Sequence, residues 1–215
     1  GAADTLIITS AGAFDVTGTS AVTAEEAITI TGESSVSFDD DTANAAGTAV
    51  AHTISAKGDI VIIDITDIGT LSATTTTGNI TLGATDNFIN GDITLSSAAG
   101  DVTVTNADDM GVGDTLTATA TGDGNADASA TAADGDITVT STGAETLILT
   151  ATGDINLDAA ETAKTITLSA GQASNIADTV SNVQTLNLTS VSASATPVVF
   201  TATAGDGGTG GGAQD

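Results

Sequence analysis

The chain has 215 residues with 28 acidic side chains, two lysines and no arginine, which gives a formal net charge of −26 at pH 7. This charge repels nucleic-acid phosphates and anionic headgroups, so we expect cations, divalent ones in particular, and no nucleic acid as partners. The absence of Cys, Trp and Tyr excludes disulfides and thiolate metal sites, and leaves aliphatic side chains to build a narrow core. No apolar run approaches the roughly 18 residues of a membrane span, so membrane insertion is not expected.

Short strands in which aliphatic residues alternate with a polar residue recur along the whole chain. In chain order, the sequence predicts them at 6–8, 28–30, 60–62, 80–82, 93–95, 102–104, 137–139, 147–149, 155–157, 166–168 and 186–188. Six of them directly follow a glycine and an Asp or Asn, in phrases that begin at Gly58, Gly78, Gly91, Gly100, Gly135 and Gly153. This phrase is an internal repeat.

Each part of the repeat has a physical interpretation. Glycine supplies a positive φ at the turn, Asp or Asn hydrogen-bonds the backbone just ahead, and the alternation turns aliphatic residues inward and Thr outward. Strand starts recur about every ten residues, so two strands make a coil of roughly 20 residues. The sequence therefore predicts an all-β parallel β-solenoid (β-helix) of short irregular coils. The alternative is an antiparallel β-sandwich, which also has short strands at this spacing.

The repeat predicts one solenoid domain over 1–204, followed by a Gly-rich tail over 205–215. The rhythm breaks near 39–53 and 106–134, and we expect both segments to be loops that bulge from the solenoid. His52 falls in the first of them. One isolated histidine without a Cys nucleophile is a poor basis for catalysis, so an enzyme is not expected.

The best metal candidate lies in the second predicted loop. Asp123, Asn125, Asp127 and Asp134 stand at positions one, three, five and twelve of a calcium-loop pattern, in which alternate residues direct oxygen ligands toward one ion. A simple acidic loop is the alternative. Two further acidic groups, Asp39-Asp40-Asp41 with Asn44 and Asp108-Asp109 with Asp114, are expected to be solvated patches.

The Gly-Asp turns allow two arrangements. If the turns are in register, their carboxylates stack about 4.8 Å apart and repel by about 1 kcal/mol per pair in water, which a ladder of cations would relieve. If unequal loop lengths stagger the turns, each aspartate caps only its own turn. The sequence favours the staggered arrangement.

The strand-turn phrases, together with the segment S-N-V-Q-T-L-N-L-T at 181–189, resemble the Thr-rich solenoids of bacterial surface-layer proteins and secreted filamentous-haemagglutinin-like repeat adhesins. This resemblance implies export to the cell surface, assembly into lattices or fibres, and often bound calcium. The Gly-Gly-x-Gly-x-Asp calcium nonapeptide of secreted toxin-like repeats does not occur in the sequence.

Both ends of the predicted solenoid are as strand-like as its interior, and uncapped terminal coils invite strand pairing. We therefore expect a head-to-tail homopolymer, with these self-assembly residues: Leu6, Ile7, Ile8, Val198, Val199 and Phe200. The predicted function is a structural subunit of an extracellular, cell-surface assembly, a surface layer or filament stabilised by calcium. The alternative is an adhesin stalk, or a module that binds ice or carbohydrate surfaces through outward Thr.

Overall fold

A computed structural model describes residues 6–16, 28–40, 51–65, 69–83, 91–105, 110, 114–121, 135–140, 142, 144–157, 163–171, 173–176, 184–190 and 199–202. These residues form eighteen strands in two nine-stranded sheets, and consecutive strands alternate between the sheets. All neighbouring strands are parallel. The predicted parallel β-solenoid is confirmed, and the antiparallel sandwich is wrong.

Each coil contributes one strand to each sheet. The first sheet contains, in stacking order, β1 (Leu6–Ser10), β3 (Ile28–Gly32), β5 (Ala51–Ala56), β7 (Thr70–Thr75), β9 (Ile93–Ser97), β11 (Thr115–Ala120), β13 (Thr146–Ala151), β15 (Thr165–Ala170) and β17 (Thr185–Ser190). The second sheet contains β2 (Phe14–Val16), β4 (Val36–Asp40), β6 (Ile60–Ile65), β8 (Ile80–Leu82), β10 (Val102–Val104), β12 (Ile137–Val139), β14 (Ile155–Leu157), β16 (Ala173–Ile176) and β18 (Val199–Ala202).

The core lies between the two sheets and follows the twofold alternation of side chains along a strand. In β15, Ile166, Leu168 and Ala170 face inward and are fully buried, and in β14 Ile155 and Leu157 do the same. Corresponding positions of successive coils stack into columns that consist mainly of Ile, Leu, Val and Ala. The narrow aliphatic core expected from the composition is therefore what separates the sheets.

The two segments expected to be loops contain strand residues. Strand β4 continues through Asp40, and β5 begins at Ala51, so the segment 39–53 is strand at both ends. Strand β11 lies inside the segment 106–134. Its inward alanine at position 118 stacks between Leu95 and Leu149, so large neighbours fill the space that its small side chain leaves. Composition alone made this strand look like a low-complexity loop.

Coil length varies without disturbing the sheets. Aligned inward positions of the first sheet recur after 19 residues between His52 and Leu71, but after 31 residues between Leu116 and Leu147. At one corner of the solenoid, turns of three or four residues lead into second-sheet strands at 57–59, 76–79, 98–101 and 152–154. We call this corner the turn edge.

Candidate functional site: the turn edge and the terminal coils

At the turn edge, a column of Asp and Asn side chains joins successive coils. Each side-chain Oδ1 atom accepts a hydrogen bond from the backbone N–H of the corresponding residue in the next coil. The pairs are Asp59 with Asn79 (2.8 Å), Asn79 with Asp101 (2.8 Å), Asp101 with Asp136 (3.0 Å) and Asp136 with Asp154 (2.7 Å). We call these five residues the Asx ladder.

The Asx ladder corrects the expectation of staggered turns. The turns are in register, and each ladder side chain binds the next coil instead of the backbone just ahead in its own turn. In most of the longer coils the extra residues lie at the opposite corner. In the longest coil they lie between Thr121 and Gly135, and register is kept because both of these residues bond to the Thr152 hydroxyl of the next coil. Asp92 follows the same rule at that opposite corner, where its Oδ1 accepts a hydrogen bond from the Thr115 N–H of the next coil at 2.9 Å.

Backbone hydrogen bonds run beside the ladder. The N–H of Ile80 donates to the carbonyl of Asp101 at 2.9 Å, and the N–H of Ile137 donates to that of Asp154 at 2.9 Å. All five ladder residues thus accept a backbone hydrogen bond at the carbonyl, and Asp59, Asn79, Asp101 and Asp136 also accept one at the side chain. A ladder side chain therefore supplies the acceptor that the backbone N–H of the next ladder residue needs.

The glycines that precede ladder residues are required by close contact between coils. A Cβ on Gly78 would lie 2.3 Å from the carbonyl carbon of Gly58, and one on Gly100 would lie 2.5 Å from the carbonyl oxygen of Gly78. Neither glycine has a φ in the left-handed region. The predicted reason for these glycines, a positive φ, is therefore wrong: they allow one turn to lie directly on another.

Four of the five ladder residues are aspartates, and Asn79 separates Asp59 from Asp101. Coils in a parallel sheet stack at about 4.8 Å, a spacing at which two carboxylates repel by about 1 kcal/mol in water. The hydrogen bonds from backbone N–H groups offset part of this repulsion. The turn edge is therefore a stacked line of negative charge that is stabilised by the backbone.

The candidate calcium residues Asp123, Asn125, Asp127 and Asp134 lie outside the described residues, but both ends of their segment are described. The Thr152 hydroxyl of the next coil donates to the carbonyl of Thr121 at 2.5 Å and accepts from the N–H of Gly135 at 3.1 Å. One side chain therefore holds the two ends of the 122–134 segment close together.

The other acidic groups are only partly described. Asp39 and Asp40 belong to β4, and Asp114 directly precedes β11. Asp41, Asn44, Asp108 and Asp109 lie outside the described residues. Within the described ranges, no three His, Cys, Asp or Glu side chains come together as a metal site would require.

His52 lies in the core and not in a surface loop. It occupies an inward position of β5, is 1% exposed, and packs its ring edge against Phe38 with 6.2 Å between ring centroids. Its neighbours in the same column are Ile28 and Leu71. The alternation of β5, which continues to the buried Ile54, is the sequence signal that places it there.

Among the described residues, the inward face of β17 is open. Leu186 and Leu188 of β17 occupy the register positions of Ile166 and Leu168 in β15. Ile166 and Leu168 are fully buried, whereas Leu186 is 45% and Leu188 is 41% exposed. Sequence reasoning did not include these leucines among the self-assembly residues, although the alternation of β17 was recognised.

The predicted self-assembly residues occupy different positions in the terminal strands. In β1, Leu6 and Ile8 have the register of inward residues, and Ile8 packs against the core. Ile7 has the register of the outward Thr29 and is 69% exposed. Val199 and Phe200 belong to β18, at the end of the second sheet, and Val198 lies outside the described residues. The five described residues therefore lie at the two ends of the stack, and Ile7 belongs to its outer face.

No protein-family model, curated protein or solved structure matches the chain. The residues that the structure describes include no helix of the length and apolarity needed to cross a bilayer.

Proposed function

We propose that the chain is a structural subunit of an extracellular bacterial assembly, a surface layer or filament, that polymerises head to tail through its terminal coils. The observation that carries this proposal is the open inward face of β17, where Leu186 and Leu188 are nearly half exposed. Full burial of a leucine side chain stabilises by about 1.5 to 3 kcal/mol. Covering these two therefore supplies a driving force for adding another coil.

The register of the two ends supports continuation of both sheets across a joint between subunits. If β1 of the next subunit extends the first sheet beyond β17, Leu186 comes beside Leu6, and Leu188 beside Ile8. Polar positions also agree, because Thr189 then pairs with Thr9.

The second sheet gives the same result. Phe200 in β18 and Phe14 in β2 occupy the same column position at opposite ends of the stack. The column between them runs through Ile155, Ile137 and Val102 and the corresponding positions of the other coils. In a joint that continues both sheets, β17 meets β1 and β18 meets β2, and each residue lies beside a residue of the same column.

A contact between two different ends is heterologous, and a heterologous contact that does not close into a ring generates an open filament. All strands of each sheet run in one direction, so each added subunit presents the same free end as the last. This geometry favours a filament, or a row in a lattice, over a closed dimer.

We include calcium in the proposal because polymerisation concentrates charge. Each subunit carries a formal charge of −26, and the Asx ladder adds a stacked line of carboxylates. Divalent cations bound near these groups would reduce the repulsion between subunits. The extracellular location rests on the resemblance to surface-layer proteins and secreted adhesins.

The test compares wild-type protein with Leu188→Asp, which puts a carboxylate into the proposed joint, and with Asn156→Asp as a control at an exposed outward position of the second sheet. Light scattering and electron microscopy measure assembly, with calcium and with excess chelator. We expect filaments from wild-type protein and Asn156→Asp in calcium, and no filaments but an unchanged circular dichroism spectrum from Leu188→Asp. Wild-type protein that stays monomeric at high concentration in calcium, or Leu188→Asp that assembles normally, would contradict the proposal.

A further inference from the structure

The outer face of the first sheet is an array of hydroxyl side chains, which we call the hydroxyl face. It consists of two outward columns that cross all nine strands. One column, which we call the Ile148 column, contains Ile7, Thr29, Thr53, Ser72, Thr94, Thr117, Ile148, Thr167 and Asn187. The other, the Thr150 column, contains Thr9, Thr31, Ser55, Thr74, Ser96, Thr119, Thr150, Ser169 and Thr189.

This face carries no charge. None of the nine first-sheet strands contains an Asp, Glu, Lys or Arg, although the chain has 28 acidic residues. Second-sheet strands, in contrast, include Asp15, Asp39, Asp40 and Asp64. Like-charge contacts disfavour wrong encounters, so the hydroxyl face is a broad surface on which two such chains can approach without opposing carboxylates from its own strands.

The area of the hydroxyl face suits a protein contact. Nine strands at about 4.8 Å, each five or six residues long, cover roughly 40 Å by 18 Å, or about 700 Å². A stable protein interface of standard size buries about 800 Å² on each partner. One face of this kind against another therefore comes close to the area that a specific dimer needs.

Two large apolar side chains stand in this hydrophilic array. Ile7 is 69% and Ile148 is 38% exposed, and both belong to the Ile148 column. Side chains of adjacent strands can bond within a column, as the Asn187 amide does when it donates to the Thr167 hydroxyl at 3.3 Å. Polar side chains that bond in this way lose less on desolvation, and the isoleucines gain from being covered. This combination favours a protein partner.

We propose that the hydroxyl face binds the hydroxyl face of a second copy, about a two-fold axis parallel to the solenoid axis. This inference goes beyond the proposed end-to-end contact, because it supplies the lateral contact that joins two filaments. With this two-fold axis over the column that contains Ile148, each coil lies opposite the same coil of the second copy, so that all nine strands take part and Ile148 lies opposite Ile148 of the second copy. Both copies then point in one direction, and their ends remain free for head-to-tail growth.

The test uses the full chain with Leu188→Asp, which blocks the proposed end contact so that only lateral association remains. Because the chain contains no cysteine, single cysteines report on one position each. Ile148→Cys probes the hydroxyl face, and Asn156→Cys is the control at an exposed outward position of the second sheet. With a short bifunctional thiol reagent in dilute solution, we expect a covalent dimer from Ile148→Cys and none from Asn156→Cys.

A charge pair gives the second measurement. Thr117→Asp places a carboxylate near its equivalent across the two-fold axis, whereas Thr103→Asp places one outward on the second sheet. In sedimentation experiments on the end-blocked chain, we expect Thr117→Asp to weaken dimerisation by about fivefold or more, the factor that about 1 kcal/mol of carboxylate repulsion implies. Thr103→Asp should dimerise as its parent does.

The outcomes separate this inference from the proposed function. An end-blocked chain that is monomeric while wild-type protein forms filaments overturns the lateral contact and leaves the end contact standing. If the end-blocked chain dimerises and wild-type protein also goes no further than a dimer, the end contact is overturned and the lateral contact stands. A monomer that adsorbs to ice or to insoluble polysaccharide through Thr117 also overturns the inference, because the face then serves a non-protein surface.

Discussion

The Asx ladder makes a quantitative prediction about Asp101, where two opposing effects can be separated. The carboxylate of Asp101 accepts a hydrogen bond from the Asp136 N–H at 3.0 Å, and it stacks beside the carboxylate of Asp136 in the next coil. Asp101→Asn keeps an acceptor oxygen and removes the charge. Asp101→Ala removes both. Asn79→Asp adds a charge between two aspartates and keeps the acceptor.

The magnitudes follow from these contacts. A hydrogen bond to a charged group contributes about 1.5 to 3 kcal/mol, whereas repulsion between carboxylates one coil apart costs about 1 kcal/mol at the dielectric constant of water. We therefore expect Asp101→Ala to lower the free energy of unfolding by about 1 to 2 kcal/mol. Asp101→Asn should change it by less than about 1 kcal/mol. Asn79→Asp should lower it by about 1 to 2 kcal/mol, because its new charge has an aspartate on each side.

The assay is urea unfolding followed by circular dichroism, at low salt and at about 1 M salt, where the Debye length falls to about 3 Å. High salt should restore most of the stability lost by Asn79→Asp and little of that lost by Asp101→Ala. If Asp101→Ala and Asp101→Asn are equally stable, the ladder hydrogen bond contributes nothing. If salt has no effect on Asn79→Asp, the charges of the ladder do not interact.

Two other pairs of variants test the packing of coils. Gly100→Ala should lower the melting temperature strongly because its Cβ would lie 2.5 Å from a backbone oxygen, and Gly12→Ala, whose Cβ meets nothing within 4 Å, should have little effect; equal effects would contradict the close-contact explanation. Leu149→Ala should cost about 2 to 5 kcal/mol, since Leu149 is fully buried. Changing its outward neighbour Ile148, which is 38% exposed, to Ala should lower the free energy of unfolding by less than about 1 kcal/mol. Thermal unfolding measures all four variants.

Five of the nine second-sheet strands, β6, β8, β10, β12 and β14, were predicted because each carries its own signal. Strands such as Ile137–Val139 have aliphatic residues at both inward positions and a Gly-Asp turn directly before them. Twofold alternation and turn residues are local properties, so a sequence read one segment at a time finds them.

Several first-sheet strands lacked that signal because their identity depends on neighbouring coils. In β11 the inward residues after Leu116 are alanines, and in β7 they are Ala73 and Thr75. A small inward side chain is accommodated where the coils above and below supply larger ones, as Leu95 and Leu149 do for β11. The missing information was the register between coils. The loops vary in length, so local sequence patterns do not show which residues of neighbouring coils lie side by side.

At the candidate site too, the sequence identifies the residues but not what they contact. The ladder aspartates could be picked from the sequence, but their acceptor role toward the next coil required the register. The open face of β17 was implied by its alternation, yet the burial of Leu186 depends on whether another coil lies beyond it. Local pattern therefore identifies the residues, and stacking decides what they contact.

The segment that holds the calcium candidates allows a test in which the ladder stays intact. Deleting 122–134 joins Thr121 to Gly135 and Asp136, and the resulting Thr-Gly-Asp turn repeats the natural turn Thr152-Gly153-Asp154 of the next coil. The deletion should be sterically feasible because the carbonyl of Thr121 and the N–H of Gly135 already bond to the same hydroxyl of Thr152. Shortening the connection should stabilise the calcium-free chain by about 1 to 2 kcal/mol, through a smaller loop-closure entropy. If Asp123, Asn125, Asp127 and Asp134 bind calcium, calcium will raise the melting temperature of wild-type protein and leave that of the deletion variant unchanged. A calcium shift that persists in the variant would place the ion elsewhere, and a variant that does not fold would show that 122–134 is part of the solenoid.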